Sequence, residues 1–211
     1  MVIEMTKPRP RGRPRKDPAE IKAVRDSLVR AGVAFLTEKG FATTGLDEIL
    51  QSVKVPKGSF YHYFESKEAF GVELIKNYAV YFAELLDSNY LNENLPPLER
   101  IAAFMEEAKN NMARYEFRRG CLVGNLGQEM AVIPDAFRQL LIETLHDWQS
   151  RTAACLKLAQ KEKQISAELD CDMVAASFWI GWEGAVLRAK LERSGAPIDI
   201  YATHFLNGIH K

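Results

Sequence analysis

Residues 41–70 read FATTGLDEILQSVKVPKGSFYHYFESKEAF, and the pattern in this segment limits the possible folds most strongly. An apolar stripe with helical spacing precedes it and ends at Gly40, and Thr44 begins a second, short helical pattern. A link of at most four residues leads to a third pattern, from Pro56 to about Phe64, because proline fits the first position of a helix. Two short helices joined by a tight turn after a longer helix are typical of a helix-turn-helix unit.

The third helix has two faces of different chemistry. Its inner positions are aromatic and are spaced by three and four residues, which predicts packing on the first two helices: Phe60, Tyr63 and Phe64. The opposite face carries a cation, a glycine, a phenol and an imidazole, at Lys57, Gly58, Tyr61 and His62. A glycine inside a helix costs about 1 kcal/mol relative to alanine. That cost is understandable where the backbone must approach another surface closely.

The outer face of this helix suits DNA. We expect Lys57 and Tyr61 to bond phosphates, while Ser59 and His62 reach base edges. Lys67 lies in the first turn of the next helix, where a cation opposes the helix dipole unless a phosphate lies nearby. Two alternatives stay open. An aromatic run such as FYHYF is usually core, and a three-helix unit can also dock a protein.

The bulk composition is typical of a globular protein. The chain has 211 residues, of which 47% are hydrophobic and 27% are charged. It contains no run of about 18 apolar residues, so the sequence predicts no membrane span. The basic N-terminus lacks the apolar core of a secretory signal, which indicates the cytoplasm. Three cysteines without a Cys-x-x-Cys pair favour neither a disulfide framework nor a zinc site, and we expect no cofactor.

The formal net charge of zero conceals an asymmetry along the chain. Residues 1–62 hold 12 Lys and Arg against 7 Asp and Glu, whereas the remainder holds 16 against 21. A positive end on an acidic body suits a polyanionic partner at one end only. A chance imbalance of surface charge is the alternative.

Beyond residue 16 the whole chain has helical periodicity, with no β-type alternation and no internal repeat. Asp17 and Pro18 begin the first helix, and Ser66 caps a long one. Later helices begin near Pro97, Pro134, Asp170 and Pro197. The predicted fold class is therefore all-α. We divide the chain into a flexible basic arm (residues 1–16), a helix-turn-helix DNA-binding domain (17–65) and a helical body (66–211).

The segment from Ile21 to Phe70 resembles the DNA-binding domain of the TetR family of bacterial repressors, most specifically in KGSFYHYF and SKE. The resemblance implies nine or ten helices, a homodimer, and a ligand-binding and dimerisation body that releases double-stranded operator DNA when a small molecule binds. It also implies phosphate contacts at Thr44, Lys57, Tyr61 and Lys67, and base contacts at Gly58, Ser59 and His62. Pro56 departs from the family, which often has serine there, so the third helix lacks a side-chain cap.

The arm has a motif of its own. Arg11-Gly12-Arg13-Pro14 is similar to the AT-hook core, in which arginines lie in a narrow minor groove. Its position directly before the first helix of a TetR-like domain favours insertion into the groove by Arg11, Arg13 and Arg15. A solubilising or disordered tail is the alternative.

A second informative segment is FRRGCLVGNLGQEMAVIPDAF, residues 117–137, which places several polar residues in an otherwise apolar helix start. Cys121 follows Arg118 and Arg119 and lies near a predicted helix N-terminus. Both features lower a thiol pKa and favour the reactive thiolate. The alternative for Cys121 is a small buried hydrophobe, which is also our interpretation of Cys155 and Cys171.

The helix predicted from Asp170 to Arg193 is apolar on two faces. One stripe contains Met173, Ser177, Ile180, Gly184, Leu187 and Leu191, and the other contains Val174, Phe178, Trp182, Ala185 and Ala189. Both faces of such a helix must be covered. We expect one face to meet a second subunit, together with the helix at 134–163 and with Gly184 at a close crossing, and the other to line a pocket. A larger monomeric core is the alternative.

The segments FRRGCLVGNLGQEM and FWIGWEGAVLRAKLERS (178–194) resemble a narrower TetR branch, the acrylate-utilisation repressors, and less closely the N-ethylmaleimide-responsive repressors. This resemblance implies a small electrophilic or carboxylate effector. Arginines would hold its carboxylate, Cys121 would meet its electrophilic carbon, and tryptophans would form apolar walls. The candidate effector-binding or sensing residues are Arg119, Cys121, Asn125, Glu129, Trp148, Trp179, Trp182, Glu183 and Arg188, with Arg118 as a further arginine.

The sequence does not indicate an enzyme. A nucleophilic set would need Cys121, His146 and an acid, but no spacing joins them, and the chain has no glycine-rich phosphate loop or metal-ligand cluster. Within the regulator class two forms stay open: reversible binding of the effector, and thiol-based sensing in which Cys121 reacts covalently. The sequence does not distinguish a repressor from an activator.

Overall fold

A computed structural model describes residues 17–210, and this range is mainly helical. Nine helices form within it: α1 (Pro18–Lys39), α2 (Leu46–Ser52), α3 (Lys57–Phe60), α4 (Lys67–Tyr90), α5 (Pro97–Ala113), α6 (Leu122–Gln128), α7 (Asp135–Lys161), α8 (Cys171–Glu192) and α9 (Ala196–Ile209). The same residues contain no strand, only an isolated bridge between Ile165 and His210. The predicted all-α class is confirmed. No helix in this range is both long and apolar enough to cross a membrane.

Local capping explains where several helices begin and end. Asp17 accepts a hydrogen bond from the Ala19 amide at 3.1 Å before α1, and Ser66 accepts one from the Ala69 amide at 2.9 Å before α4. Gly40 ends α1 with a φ of +85°, a conformation that other residues rarely adopt. The structure confirms these three predicted boundaries.

The two short helices differ from the prediction. α2 begins at Leu46 rather than Thr44, because the Thr44 hydroxyl donates to the Gly40 carbonyl at 2.5 Å instead of capping the helix. α3 ends at Phe60 rather than Phe64, and the chain then continues in tighter turns. As expected, Pro56 precedes α3 without a side-chain cap.

Helices α1 to α3, the reading head, share one continuous hydrophobic core with the remaining helices, the body. The rings of Phe60, Phe64 and Phe70 pack with centroids 4.5–5.5 Å apart. At the junction, Phe41 meets Phe137 of α7 edge to face at 4.9 Å, beside Gly71 of α4. A Cβ on Gly71 would lie 2.4 Å from the Phe137 ring, so glycine permits this contact between head and body.

The two apolar faces of α8 have different surroundings. The face that contains Phe178, Trp182 and Ala189 is buried. The other face is open, with Met173, Ile180, Leu187 and Leu191 between 45% and 79% exposed. Gly184 lies in this open stripe, and a Cβ there would meet no atom within 4 Å. The protomer itself thus leaves one of the two predicted stripes uncovered.

Candidate DNA-binding surface and effector cavity

The outer face of α3 and of the turn after it forms the candidate DNA-binding surface. Lys57, Gly58 and His62 are exposed, Tyr61 is 60% exposed, and Ser59 is half-buried. A Cβ on Gly58 would meet no atom within 4 Å, so no contact within the protomer requires a glycine there. The missing side chain leaves room for a molecule outside the protomer.

Lys57 is held by Asp47 of α2. Its Nζ donates to Asp47 Oδ2 at 2.9 Å, and this hydrogen bond, together with the carboxylate charge, raises the pKa of Lys57. Both side chains are more than half exposed, so solvent screens the pair. A phosphate approaching α3 would compete with Asp47 for the lysine.

Lys67 and Thr44 are both tied to the turn between α1 and α2. Lys67 Nζ donates to the Phe41 carbonyl at 3.2 Å and lies 4.5 Å from the centre of the Phe41 ring. Partial burial lowers the pKa of Lys67, and the nearby Glu129 carboxylate opposes that shift. Thr44, which we expected at a phosphate, is 1% exposed, and its hydroxyl donates to the Gly40 carbonyl within the protomer. The arm residues Arg11, Arg13 and Arg15 lie outside the described range.

Asn125, a predicted effector-site residue, binds the end of α1. Its Nδ2 donates to the carbonyls of Leu36 and Thr37 at 2.9 and 2.8 Å. The Gly120 amide also donates to the Thr37 carbonyl, at 2.9 Å. These carbonyls lie in the last turn of α1, where the Leu36 carbonyl also accepts the amide of the capping Gly40 at 3.0 Å. Residues 120–125 therefore hold the C-terminal end of α1.

Glu129, the other polar residue expected there, binds the turn after α1. Its Oε2 accepts hydrogen bonds from the amides of Phe41 and Ala42 at 2.8 and 3.1 Å. Gly40 lies against the same carboxylate, since a Cβ on it would be 2.0 Å from Glu129 Oε1. Glu129 thus connects the body to the reading head.

A cavity of about 250 Å³ lies between head and body. Val33, Ala34 and Thr37 of α1 form one wall, and α4, α5 and α8 contribute the others. Its polar lining includes two arginines, Arg30 and Arg119. The apolar lining includes Phe82, Leu85, Met112, Trp182 and Val186. Any occupant of this cavity touches α1 directly.

Of the three arginines predicted to hold an effector carboxylate, only Arg119 lines the cavity. Its guanidinium lies 3.9 Å from the centre of the Tyr115 ring, and no ion pair within residues 17–210 includes it. Arg118 pairs outside the cavity with Glu38 at 3.1 Å. Arg188 is exposed on α8, where its Nε donates to Glu192 at 2.8 Å. Helical phase places Arg188 on the wrong side of α8.

Cys121 lines the cavity. The sequence predicted a lowered pKa for its thiol, but the structure gives a raised one. Burial raises the pKa of Cys121 well above its usual range, and the Glu183 carboxylate raises it further. The two preceding arginines do not offset this, because one pairs with an acid and the other lies over a tyrosine ring. The expected reactive thiolate is therefore wrong for this structure. The resting thiol is neutral at neutral pH.

Glu183 and Tyr78 complete a polar group around this thiol. Burial raises the pKa of Glu183 from 4.5 to about 7, and its hydrogen bond with Cys121 opposes the shift. Glu183 Oε1 is buried and has no hydrogen-bond partner within residues 17–210. Burial also raises the pKa of Tyr78 well above its usual range. We did not predict Tyr78 or Arg30 as site residues. Tyr78 belongs to the apolar stripe of α4 and so has the pattern of a core residue, and no local signal marks Arg30.

Of the three tryptophans predicted as cavity walls, only Trp182 lines the cavity. Trp179 is 1% exposed, and its Nε1 donates to Thr152 Oγ1 at 3.0 Å. Trp148 is fully buried and packs on Phe82 with ring centroids 4.2 Å apart. Phe82, which lines the cavity, packs on Trp148, and its ring centroid is 5.9 Å from that of Trp179, so both tryptophans pack on the cavity wall without lining it.

A three-helix reading head with an open outer face, joined to a helical body with a cavity, defines a transcription regulator of the helix-turn-helix class. Residues 28–74 match the family described as bacterial regulatory proteins, tetR family, and residues 97–205 match the tetracyclin repressor-like C-terminal domain. The chain belongs to the TetR family. Its members are transcription regulators rather than enzymes, and they bind operator DNA, act as dimers and bind small-molecule effectors.

Similar proteins match nearly the whole chain. The transcriptional regulator AcuR of Cereibacter sphaeroides is 53% identical over 94% of this chain and 90% of its own length. The HTH-type transcriptional repressor NemR of Escherichia coli (strain K12) is 30% identical over 87% of this chain and 92% of its own length. The crystal structure of regulatory protein TetR from Rhodobacter sphaeroides superposes with a TM-score of 0.87 at 52% identity, over 88% of this chain and 98% of that one.

Proposed function

We propose that the chain is a cytoplasmic, homodimeric repressor that leaves its operator when a small unsaturated acid such as acrylate, or a related electrophile, occupies the cavity. The observation that carries this proposal is the position of the cavity, because Val33, Ala34 and Thr37 of α1 form one of its walls. A ligand shifts an equilibrium only through its different affinities for the two states. The occupant must therefore fit the DNA-incompetent position of α1 better than the competent one.

We assign operator binding to the outer face of α3 and to the arm. Phosphate contacts are assigned to Lys57, Tyr61 and Lys67, and base contacts to Gly58, Ser59 and His62. Minor-groove contacts are assigned to Arg11, Arg13 and Arg15. The exposure of α3 and the open space at Gly58 support this assignment.

We assign dimerisation to the open face of α8, together with α7. In a two-fold dimer the same patch occurs on both sides, so an apolar stripe on one protomer covers the identical stripe on the other. Met173, Ile180 and Leu191 are each at least 67% exposed in the protomer, which supports a covering partner.

The chemistry of the cavity supports a carboxylate effector. Arg30 and Arg119 line it without an acidic partner in an ion pair within residues 17–210. A carboxylate accepts charge-assisted hydrogen bonds from guanidinium groups, and the apolar lining suits a hydrocarbon portion. The resemblance to the acrylate-utilisation repressors and the 53% identity to AcuR support the same class.

A mobility-shift titration tests this function with DNA from upstream of the chain's own gene. Acrylate should release the wild-type protein, whereas Arg119→Gln should need at least tenfold more acrylate for the same release. Arg188→Gln is the matched control, because it removes an arginine from the outer side of α8, and it should respond like wild type. Equal acrylate responses of the two variants would contradict the effector site.

The second candidate form is covalent sensing at Cys121. The observation that favours it is that the thiol lines the cavity with a carboxyl group beside it. Cys121→Ser keeps a hydroxyl of similar size but cannot form a stable thioether. If Cys121→Ser still leaves the operator at wild-type acrylate concentrations, sensing is reversible. If it stays bound, the covalent form is supported.

A further inference from the structure

A carboxyl group lies directly against the cavity thiol. Gly124 of α6 shows how near the two groups are, since the Cβ that it lacks would lie 2.1 Å from Glu183 Oε2 and 3.7 Å from Cys121 Cβ. Glu183, on α8, therefore occupies the space that a side chain at position 124 would take. The glycine permits a carboxyl group to reach the start of α6, where Cys121 lies.

This carboxyl group has unused bonding capacity. Glu183 Oε1 is buried without a hydrogen-bond partner within residues 17–210, and such an atom is costly to keep. The titratable groups near it are the Cys121 thiol directly before α6 and the Tyr78 hydroxyl on α4, which interacts with that thiol. Lys190 on α8 itself lines the same small pocket. Lys190 Nζ is 3.4 Å from both the Thr37 carbonyl and Asn125 Oδ1. None of these contacts satisfies Oε1.

We propose that Glu183 is the proton acceptor that allows the neutral Cys121 thiol to add to an electrophile held in the cavity. This inference rests on the covalent form of the proposed function. Cys121 Sγ forms a bond to the β-carbon of an α,β-unsaturated carbonyl compound while its proton passes to the Glu183 carboxylate. The π electrons of the C=C bond move into an enolate, and its α-carbon then takes the proton from the Glu183 carboxylic acid. The net reaction adds S–H across C=C and needs no oxidant or reductant.

The protonation states suit this division of roles. Burial and the Glu183 charge keep the thiol neutral, so it does not react spontaneously as a thiolate. Burial raises the pKa of Glu183 to about 7, which makes it a base that is substantially ionised at neutral pH. An electrophile must therefore be seated beside both groups before it reacts. Arg119 in the same cavity is placed to hold the carboxylate of an unsaturated acid.

Alkylation by acrylamide, an uncharged probe, tests the proposal in the full-length protein. Intact mass and peptide mapping give the rate constant at Cys121 across pH, with buried Cys155 and Cys171 as internal controls. In wild type the rate should rise through pH of about 7 as Glu183 loses its proton, and then level off. Glu183→Gln should lose this step and react at least tenfold more slowly near neutral pH, because general-base assistance of that size is removed.

A faster alkylation of Glu183→Gln than of wild type near neutral pH would overturn the proposal. A Glu183 that only repels negative charge disfavours the thiolate, so Glu183→Gln would then react faster than wild type near neutral pH. If Glu183 acts as the base, the curves of alkylation rate against pH for wild type and Glu183→Gln should cross. The variant should then be faster only at alkaline pH, where the thiol itself ionises. Glu183→Asp should retain the pH step, and melting curves should show whether each variant is folded.

Gly124→Ala provides a second variant that keeps the carboxyl group. Its new Cβ would displace Glu183 Oε2 without changing any charge, so it should also slow alkylation near neutral pH. Operator binding and acrylate release are measured on the same samples. Wild-type protein that ignores acrylate but shows the crossing profile would contradict the proposed effector and leave the base role standing. A wild-type level of alkylation in both Glu183→Gln and Gly124→Ala would contradict the base role alone.

Discussion

The Glu129 carboxylate accepts a hydrogen bond from the Phe41 backbone amide at 2.8 Å, so a side chain at the end of α6 holds the turn that joins α1 to α2. The same oxygen accepts the Ala42 amide at 3.1 Å. Hydrogen bonds to a charged acceptor are stronger than those to a neutral one. Because α6 begins directly after Cys121 in the cavity wall, one short helix connects the cavity to the turn between α1 and α2.

Replacing Glu129 should weaken this connection. Glu129→Ala leaves two amides without their acceptor, and we expect a loss of about 1–3 kcal/mol in the free energy of unfolding. We also expect acrylate to bind with nearly unchanged affinity by calorimetry but to release the operator only at several-fold higher concentration. Gln128→Ala is the control, because Gln128 is exposed and its amide makes only a 3.5 Å bond within its own helix. A wild-type release curve for Glu129→Ala would show that coupling runs elsewhere.

Lys57 should contribute one phosphate contact. Lys57→Ala should weaken binding similarly on operator and random DNA and should reduce the slope of log K against log salt by about one ion. Lys76→Ala removes the same charge from the exposed side of α4 and should leave the slope unchanged. Asp47→Asn should strengthen binding modestly, because it frees Lys57 from its 2.9 Å ion pair. An unchanged slope in Lys57→Ala would remove this lysine from the phosphate contacts.

Several features of the fold were predictable because their causes are local. The carboxylate of Asp17, the hydroxyl of Ser66 and the absent side chain of Gly40 act within a few residues of their own position. The stripes of α8 follow from helical periodicity alone. The start of α2 was wrong because two local options competed for Thr44, and its hydroxyl bonded the Gly40 carbonyl rather than the helix.

The chemistry of the site depends on contacts that no local pattern reveals. The thiol of Cys121 has a raised pKa because it is buried and because Glu183, 62 residues further along, lies beside it. Asn125 and Glu129 were correctly recognised as unusual in an apolar segment, but their partners lie almost 90 residues earlier, in the reading head. Sequence thus marked these residues as unusual but did not reveal which groups they touch.

The open stripe of α8 gives a test of assembly that is separate from folding. A Cβ at Gly184 meets no atom within 4 Å in the protomer, so Gly184→Leu should leave the protomer folded. At a close crossing of two subunits the same side chain would overpack the interface and split the dimer, as light scattering would show. Gly208→Leu is the matched control, an exposed helical glycine on α9 with equally open surroundings. A dimeric Gly184→Leu protein with wild-type melting would place the interface elsewhere.

Glu183 should make stability depend on pH in a defined direction. Its pKa rises from 4.5 in its ordinary state to about 7 in the folded protein. A raised carboxyl pKa means that the folded state keeps a proton which the unfolded state has released. The resulting stabilisation is therefore fully present below pH of about 4.5 and is lost as pH rises through about 7. Relative to Glu183→Gln, the free energy of unfolding of the wild type should fall by up to about 3 kcal/mol between pH of about 4.5 and about 8.

Urea unfolding at fixed protein concentration measures this difference, because dimer stability also depends on concentration. A stability difference between wild type and Glu183→Gln that stays constant with pH would mean that folding does not shift this carboxyl pKa. Cys121→Ala adds a second check. Because the thiol's hydrogen bond lowers the pKa of Glu183, removing it should raise that pKa further. The pH range over which stability is lost should then extend upward, and a shift to lower pH would contradict the Cys121–Glu183 contact.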